Sequence, residues 1–217
     1  MRKLLLITLP LLLIVGCSSS PEPINYETTL IEREGVFYTI DKNKPYSGKV
    51  FSLYDDGKIK NEGTLKDGKK DGLNTNWYEN GQKRDELTYK DGKFDGLYTN
   101  WYENGQKRFE LTYKDGIHNG LLTWWYDNGQ KESEGIYNDN KLEGFSTHWY
   151  DNGQKWYELT IKDGEFDGLY TNWYENGQKR FEGTYEDGEL ISEKYWNEDG
   201  SVTVSYTHLT LPTTPYV

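Results

Sequence analysis

The chain has one cysteine, Cys17, among its 217 residues. A single cysteine excludes an intramolecular disulfide and any Cys-x-x-Cys metal or redox site. Hydrophobic residues make up only 34% of the chain, which argues against a thick globular core. Aromatic residues nevertheless reach 16%, and disordered segments are poor in them. The composition therefore predicts a thin, ordered structure with amphipathic rings on both sides.

Basic residues are outnumbered by acidic ones. The chain has 25 Lys and Arg against 36 Asp and Glu, which gives a net charge of -11. Binding to nucleic acid needs clustered positive charge against the phosphates. We therefore expect no nucleic-acid partner.

A long hydrophobic run is also missing. The apolar stretch from Leu4 to Val15 is shorter than the roughly 20 residues that a membrane-spanning helix needs. Because it follows the basic start Met1-Arg2-Lys3, it is typical of a signal peptide. The next residues, Ile14-Val15-Gly16-Cys17, resemble the bacterial lipobox. The resemblance implies cleavage before Cys17 and acylation of that residue, and two or more acyl chains give lasting membrane attachment.

These features predict the organisation of the chain. We expect a lipoprotein signal peptide at residues 1–16, and a lipidated cysteine with a flexible polar tether at 17–29. A leading segment at 30–47 and a repeat array at 48–203 follow. Ser18 in place of Asp after the cysteine indicates the outer membrane or cell surface rather than the inner membrane. The expected location is therefore the cell envelope, with a lipid anchor.

The last residues break the pattern of the chain. Residues 204–217 carry no Asp, Glu, Lys or Arg and become rich in Thr and Leu. They resemble the conceptual translation of a transposon-end sequencing adapter. We therefore predict a non-native, adapter-derived tail, and give His208 no functional weight.

Internal repetition dominates the rest of the sequence. A tryptophan returns every 24 residues, at Trp77, Trp101, Trp125, Trp149 and Trp173. A turn-forming glycine follows each one, at Gly81, Gly105, Gly129, Gly153 and Gly177. A fixed period of this length indicates stacked supersecondary units.

One unit shows the predicted local structure. Residues 97–102 are rich in aromatic and β-branched types, as strands are, and residues 107–114 return as a second strand. Asn104-Gly105 and Asp115-Gly116 each predict a two-residue type I′ turn. Asp139-Asn140 replaces the second pair in a later unit, since Asn also tolerates positive φ. The fold class is therefore all-β: an elongated single-layer antiparallel meander of 24-residue hairpins.

The register follows from the predicted turns. A two-residue loop at Asn104-Gly105 places Trp101 opposite Arg108, Thr99 opposite Glu110, and Leu97 opposite Thr112. Equivalent side chains then recur every ~10 Å, with a tryptophan ladder on one face and a tyrosine ladder on the other.

The unit W-Y-[ED]-N-G-Q-K … E-[LG]-T-Y-x-D-G resembles the variant MORN repeat. The segment Arg33-x-Gly35-x-x-Tyr38 … Pro45-Tyr46-Ser47-Gly48-Lys49-Val50 resembles the start of bacterial YwqK-family antitoxins. The first resemblance implies a hairpin-repeat scaffold that binds proteins or lipids. The second implies a toxin as a protein partner.

Catalytic and metal sites are not predicted. His118 and His148 occupy slots filled elsewhere by Phe94 and Asn100, so both are interpreted as repeat drift. A nucleophile with a matching base cannot be assembled from the repeated positions. The Asp-Gly turns do not have calcium-loop spacing. We expect no enzyme activity and no cofactor.

The tryptophans are the candidate binding surface. Their evenly spaced rings suit a peptide strand, sugars or a quaternary ammonium, or they serve only to cover the sheet. The function expected is a membrane-anchored, exported scaffold that mediates protein–protein interaction. The alternatives are an antitoxin or immunity protein and a cell-wall glycan- or choline-binding module.

Overall fold

The computed structural model describes residues 22–207, within which twenty strands and one short helix form. The helix is α1 (Tyr26–Thr29). The strands are β1 (Ile24–Asn25), β2 (Leu30–Arg33), β3 (Val36–Thr39), β4 (Gly48–Leu53), β5 (Ile59–Lys66), β6 (Lys69–Lys70), β7 (Gly72–Trp77), β8 (Lys83–Lys90), β9 (Lys93–Trp101), β10 (Lys107–Lys114), β11 (Ile117–His118), β12 (Gly120–Trp125), β13 (Lys131–Asn138), β14 (Lys141–Trp149), β15 (Lys155–Lys162), β16 (Glu165–Phe166), β17 (Gly168–Trp173), β18 (Lys179–Glu186), β19 (Glu189–Trp196) and β20 (Val202–Thr207).

One antiparallel sheet follows the order of the chain. Each long strand from β4 to β20 pairs with the next, and β6, β11 and β16 are short pieces that lead into β7, β12 and β17. The short strand β1 pairs in parallel with β4, at the edge of the sheet where the array begins. The predicted all-β meander of hairpin repeats is confirmed.

A small N-terminal cap packs on the first hairpin. Strands β2 and β3 form a separate hairpin, and Leu30 buries itself against Val50 and Leu65 of the main sheet. Four partly buried residues surround this core: Ile24, Tyr26, Phe37 and Tyr46. The cap shields the apolar end of the array, as terminal repeats of solenoids must.

Secondary structure lies within the segment that the sequence predicts to be a flexible tether. The flexible tether was placed at residues 17–29, but β1 and α1 belong to the fold from Ile24 onward. The signal peptide, Cys17 and residues 208–217 lie outside the described part. Strand β20 includes residues 204–207 of the segment predicted to be adapter-derived, and pairs them with β19.

The two turns of each repeat have different geometries. At Asp115-Gly116 both residues have positive φ, 52° and 87°, and Asp139-Asn140 behaves alike, so the type I′ turns form there as predicted. At Asn104-Gly105 only the glycine has positive φ, at 84°. The N–H of Gly105 donates to the Tyr102 carbonyl, and that of Tyr102 to the Gln106 carbonyl. This is a three-residue loop with a bulge, so the prediction of a type I′ turn was wrong there.

The bulge changes which side chain stands beside the tryptophan. Thr99 pairs with Glu110 and Leu97 with Thr112, as predicted. Trp101, however, pairs with Lys107, because Arg108 is the extra residue of the bulge. The predicted pairing of tryptophan with Arg108 is therefore wrong, and a lysine takes its place.

Candidate functional site

We call the side of the sheet that carries the repeated tryptophans the tryptophan face, and the opposite side the tyrosine face. The middle of the tryptophan face is a cross-strand row in which Thr and Glu alternate. Glu86 pairs with Thr75 and Thr99, and Glu110 with Thr99 and Thr123. The threonines are buried: Thr75, Thr99, Thr123, Thr147 and Thr171. We call this Thr–Glu row the floor of the tryptophan face, because the longer side chains pack against it.

Lysines lie between the tryptophans. Each lysine extends its ammonium over the indole of the next repeat, at 5.4 to 5.6 Å from the ring centroid. The pairs are Lys83–Trp101, Lys107–Trp125, Lys131–Trp149, Lys155–Trp173 and Lys179–Trp196. Each such contact is worth about 0.5–1 kcal/mol at an exposed site.

The same lysines are held by glutamates from the floor. Lys83 Nζ lies 2.5 Å from Glu86 Oε2, and Lys107 Nζ lies 2.6 Å from Glu110 Oε2. Thr99 Oγ1 donates to the same Glu110 oxygen at 3.2 Å. The arrangement recurs in the later repeats, so Trp, Lys and Glu form one connected ladder. Four of the five candidate binding residues, Trp101, Trp125, Trp149 and Trp173, therefore have one ring face beneath a cation of this chain.

Trp77 differs from the other four tryptophans. It is half-buried like them, but Ile59 stands where the other repeats have the lysine. Among the described residues no cation lies over its ring. The first repeat is thus the place where the ladder is incomplete.

An exposed apolar row runs beside the ladder. It consists of one large hydrophobic residue per repeat, each 46–54% exposed: Leu73, Leu97, Leu121, Phe145 and Leu169. The tryptophans beside them leave these side chains about half open to solvent. Large exposed apolar rows rimmed by polar residues are typical of interaction surfaces.

Tyrosine hydroxyls join neighbouring repeats beside the Asn-Gly loops of the hairpins. Tyr102 Oη donates to the Trp125 carbonyl at 2.8 Å, and Tyr126 Oη donates to the Trp149 carbonyl at the same distance. Four equivalent bonds complete the series, from Tyr54, Tyr78, Tyr150 and Tyr174. Burial raises the pKa of Tyr102 and of Tyr126, which keeps both hydroxyls protonated as donors at neutral pH.

The turn asparagines reinforce the same junctions. Asn104 Oδ1 accepts from the Gln106 N–H at 2.9 Å, which stabilises its own loop. Its Nδ2 donates to the Asp127 carbonyl of the next repeat at 2.7 Å. Sequence reasoning missed these inter-repeat contacts, although the Tyr-x-Asn-Gly-Gln pattern, which recurs five times, was a signal for them. The tyrosines and turn glycines are thus placed at the joints of the array.

The centre of the tyrosine face varies along the sheet. Its cross-strand row begins with polar residues and continues with aromatic ones: Ser52, Asn61, Asn76, Asp85, Asn100, Phe109 and Trp124. Asp85 is only 7% exposed and accepts from Arg84 Nε at 2.8 Å and from Asn76 Nδ2. The hydrogen bond to Asp85 raises the pKa of Arg84, so the guanidinium stays charged. Burial raises the pKa of nearby Tyr89 to about 12.

The two histidines of the array stand apart from carboxylates. His118 stacks on Tyr137 with 4.4 Å between ring centroids, and His148 stacks on Tyr157 at 4.2 Å. Burial lowers the pKa of both imidazoles. Within residues 22–207 no cluster of three or more His, Cys, Asp or Glu side chains is arranged to hold a metal. In the same range no helix has the length and apolarity to cross a bilayer.

Comparison with known families gives four matches, all to the family described as the MORN repeat variant. The matched segments are residues 70–91, 94–115, 119–139 and 166–187. Each begins within or just before the first strand of a hairpin unit, so the family repeat and the structural repeat coincide. A search of curated proteins found no match to the chain.

Proposed function

We propose that this chain, four segments of which match the MORN repeat variant, is a non-catalytic scaffold that binds a protein partner along its tryptophan face. MORN repeats in general are modules for interaction with proteins or membranes. We further propose that the signal peptide exports the chain and that lipid on Cys17 anchors it in the bacterial envelope. The tether from Cys17 to Glu22 then reaches at most ~17 Å, which keeps the first repeat close to the membrane.

The observation that carries the proposal is the exposed apolar row. Five large hydrophobic side chains, one per repeat, are each about half open to solvent. Covering the remaining surface of one leucine contributes ~1 kcal/mol. Since association itself costs about 4–15 kcal/mol, the roughly 5 kcal/mol of the whole row leaves little or no surplus to hold a partner. A partner must therefore also contact the tryptophan edges and the Lys–Glu pairs beside the row.

The occupied indole faces favour a protein over a wall glycan or choline. A sugar or quaternary ammonium that stacked on the lysine-covered face of Trp125 would have to displace the ammonium of Lys107, which Glu110 also holds. A protein that covers the row from the side leaves the lysines in place. The edge of each indole remains available to it as an anchor, and tryptophan is enriched in such hot spots.

The test is affinity capture from an envelope extract with the full chain as bait. A Leu97→Ser, Leu121→Ser double variant removes two exposed members of the row without opening the buried floor. A matched control, Glu103→Ser with Asp127→Ser, changes two exposed loop tips of the same repeats. We expect the wild type and the control to retain one protein. The amount of that protein retained by the leucine double variant is expected to be at least about tenfold lower.

Two results would contradict the proposal. Equal retention by the leucine variant would remove the exposed row from binding. Retention of wall glycan in place of protein would favour a wall-binding module. The identity of the retained protein separates a general scaffold from a toxin inhibitor. The anchor is tested separately: Cys17→Ala is expected to move the protein from the membrane fraction to the soluble fraction.

A further inference from the structure

The first repeat junction lacks one member of the Trp–Lys–Glu ladder. In the next five junctions a lysine ammonium sits between a glutamate of its own repeat and the indole of the next. In the first junction Glu62 and Trp77 are both present, but Ile59 replaces the lysine. We call the space between the glutamate and the indole of the next repeat the ammonium seat. The array has six such seats, and a lysine of the chain itself fills five of them.

The backbone around the incomplete seat is the same as at the others. Glu62 pairs with Thr75 as Glu86 pairs with Thr99, and the tryptophan follows the threonine by two residues in each case. Glu62 is exposed, and among the described residues no basic group lies within 4.0 Å of its carboxylate. Isoleucine is shorter than lysine, so it fills the space of the stem and leaves the space of the ammonium.

A cleft opens beside this junction, lined by Glu62, Thr75 and Ile59 but not by Trp77. It has a volume of about 620 Å³, and Glu62 lies in its wall together with Leu53, Ile59 and Leu73. A carboxylate beside aliphatic side chains suits a ligand that has an apolar stem and a cationic end. Lys49 also lines the cleft, at a position where most later repeats have leucine, and its ammonium does not pair with Glu62 within 4.0 Å.

We propose that this first junction binds the ammonium of a lysine side chain from the protein partner. The inference rests on the proposed function and adds to it a recognition element of defined chemistry. The partner's ammonium pairs with Glu62 and lies over the Trp77 ring, while its methylene stem lies against Leu53 and Ile59. Lysine fits better than arginine, because the equivalent seats hold a compact ammonium rather than a planar guanidinium.

The test uses Nα-acetyl-lysine amide as the probe and the Nε-acetylated form of the same molecule as its neutral match. The full chain, with its indole nitrogens labelled by 15N, is titrated and followed by NMR. Trp77→Phe identifies the Trp77 signal. We expect the charged probe to shift that signal saturably, with a Kd on the order of millimolar. The neutral probe is expected to leave the signal in place.

Three variants locate the ammonium. Ile59→Lys supplies the residue found in the other repeats, so it is expected to fold normally and to abolish binding by filling the seat. Glu62→Gln is expected to weaken binding about threefold or more. Lys49→Leu removes a neighbouring positive charge and is expected to tighten binding about twofold.

Several outcomes would overturn the proposal: no saturable shift at Trp77, an equal response to the neutral probe, or unchanged binding in Ile59→Lys. This experiment and the capture experiment fail independently. If the charged probe binds at Trp77 but the leucine variant captures the partner as well as the wild type does, only the proposed function is contradicted. If the leucine variant fails to capture the partner but the charged probe does not bind at Trp77, only the lysine site is contradicted.

Discussion

The hydroxyl that joins each tyrosine to the next repeat gives a quantitative test of how the array is held together. Tyr102, Tyr126 and Tyr150 donate to tryptophan carbonyls at 2.8, 2.8 and 2.9 Å. Replacing all three by phenylalanine removes only the donors, since the rings keep their shape. Each lost bond leaves a part-buried carbonyl unpaired and is expected to cost about 1 kcal/mol.

The three losses should add, because equivalent positions lie ~10 Å apart and share no partners. The triple variant is therefore expected to lose about 3 kcal/mol of unfolding free energy. Urea unfolding followed by tryptophan fluorescence measures this loss as a lower midpoint. The matched control is Tyr98→Phe with Tyr113→Phe, whose hydroxyls donate no hydrogen bond within the described residues, and its loss is expected to stay under ~0.5 kcal/mol. A triple variant as stable as the control would refute the assignment of the tyrosines as inter-repeat ties.

Two further predictions concern the turns and the buried imidazole. Gly81 has a φ of +85° with open space around its Cβ position, so Gly81→Ala tests backbone strain alone. It is expected to cost about 1–2 kcal/mol, and Gly81→Asn less, as thermal unfolding would show; equal stability of wild type and alanine variant would contradict this. His118 is only 8% exposed, its Nε2 has no partner in residues 22–207, and burial lowers its pKa. Because the unfolded chain takes up the proton first, stability should fall as pH drops below about 6.5. His118→Phe, the residue found at Phe94 and Phe166, should be more stable and lose part of this pH dependence; an unchanged stability–pH curve would contradict the burial argument.

The fold could be predicted because its determinants are local and repeated. Alternating strand residues and Asp-Gly turns lie within one unit, and six copies of the pattern leave little freedom of register. The Asn-Gly loop was predicted wrongly because two turn types end in a glycine with positive φ. The Asn104 side chain decides between them by accepting from the Gln106 N–H, and this stabilises the three-residue loop with its bulge.

The candidate site was predicted only in part. The tryptophans were identified from their period, but one residue of bulge places Lys107 rather than Arg108 beside the ring. The cation–π contacts and the tyrosine ties join atoms of different repeats, the ties across 23 residues, so no pattern within one unit contains them. The incomplete seat at Ile59 could be seen only after the five complete seats had defined the geometry.

The most direct test of the central claim is covalent footprinting of the captured complex. Residues of both faces are labelled in the free protein and in the complex, and the modification of each is compared. The account predicts protection along the exposed row from Leu73 to Leu169 and at the adjoining tryptophan edges, with the tyrosine face unchanged. Protection confined to the tyrosine face or to the loop tips would contradict the claim that the tryptophan face binds the partner.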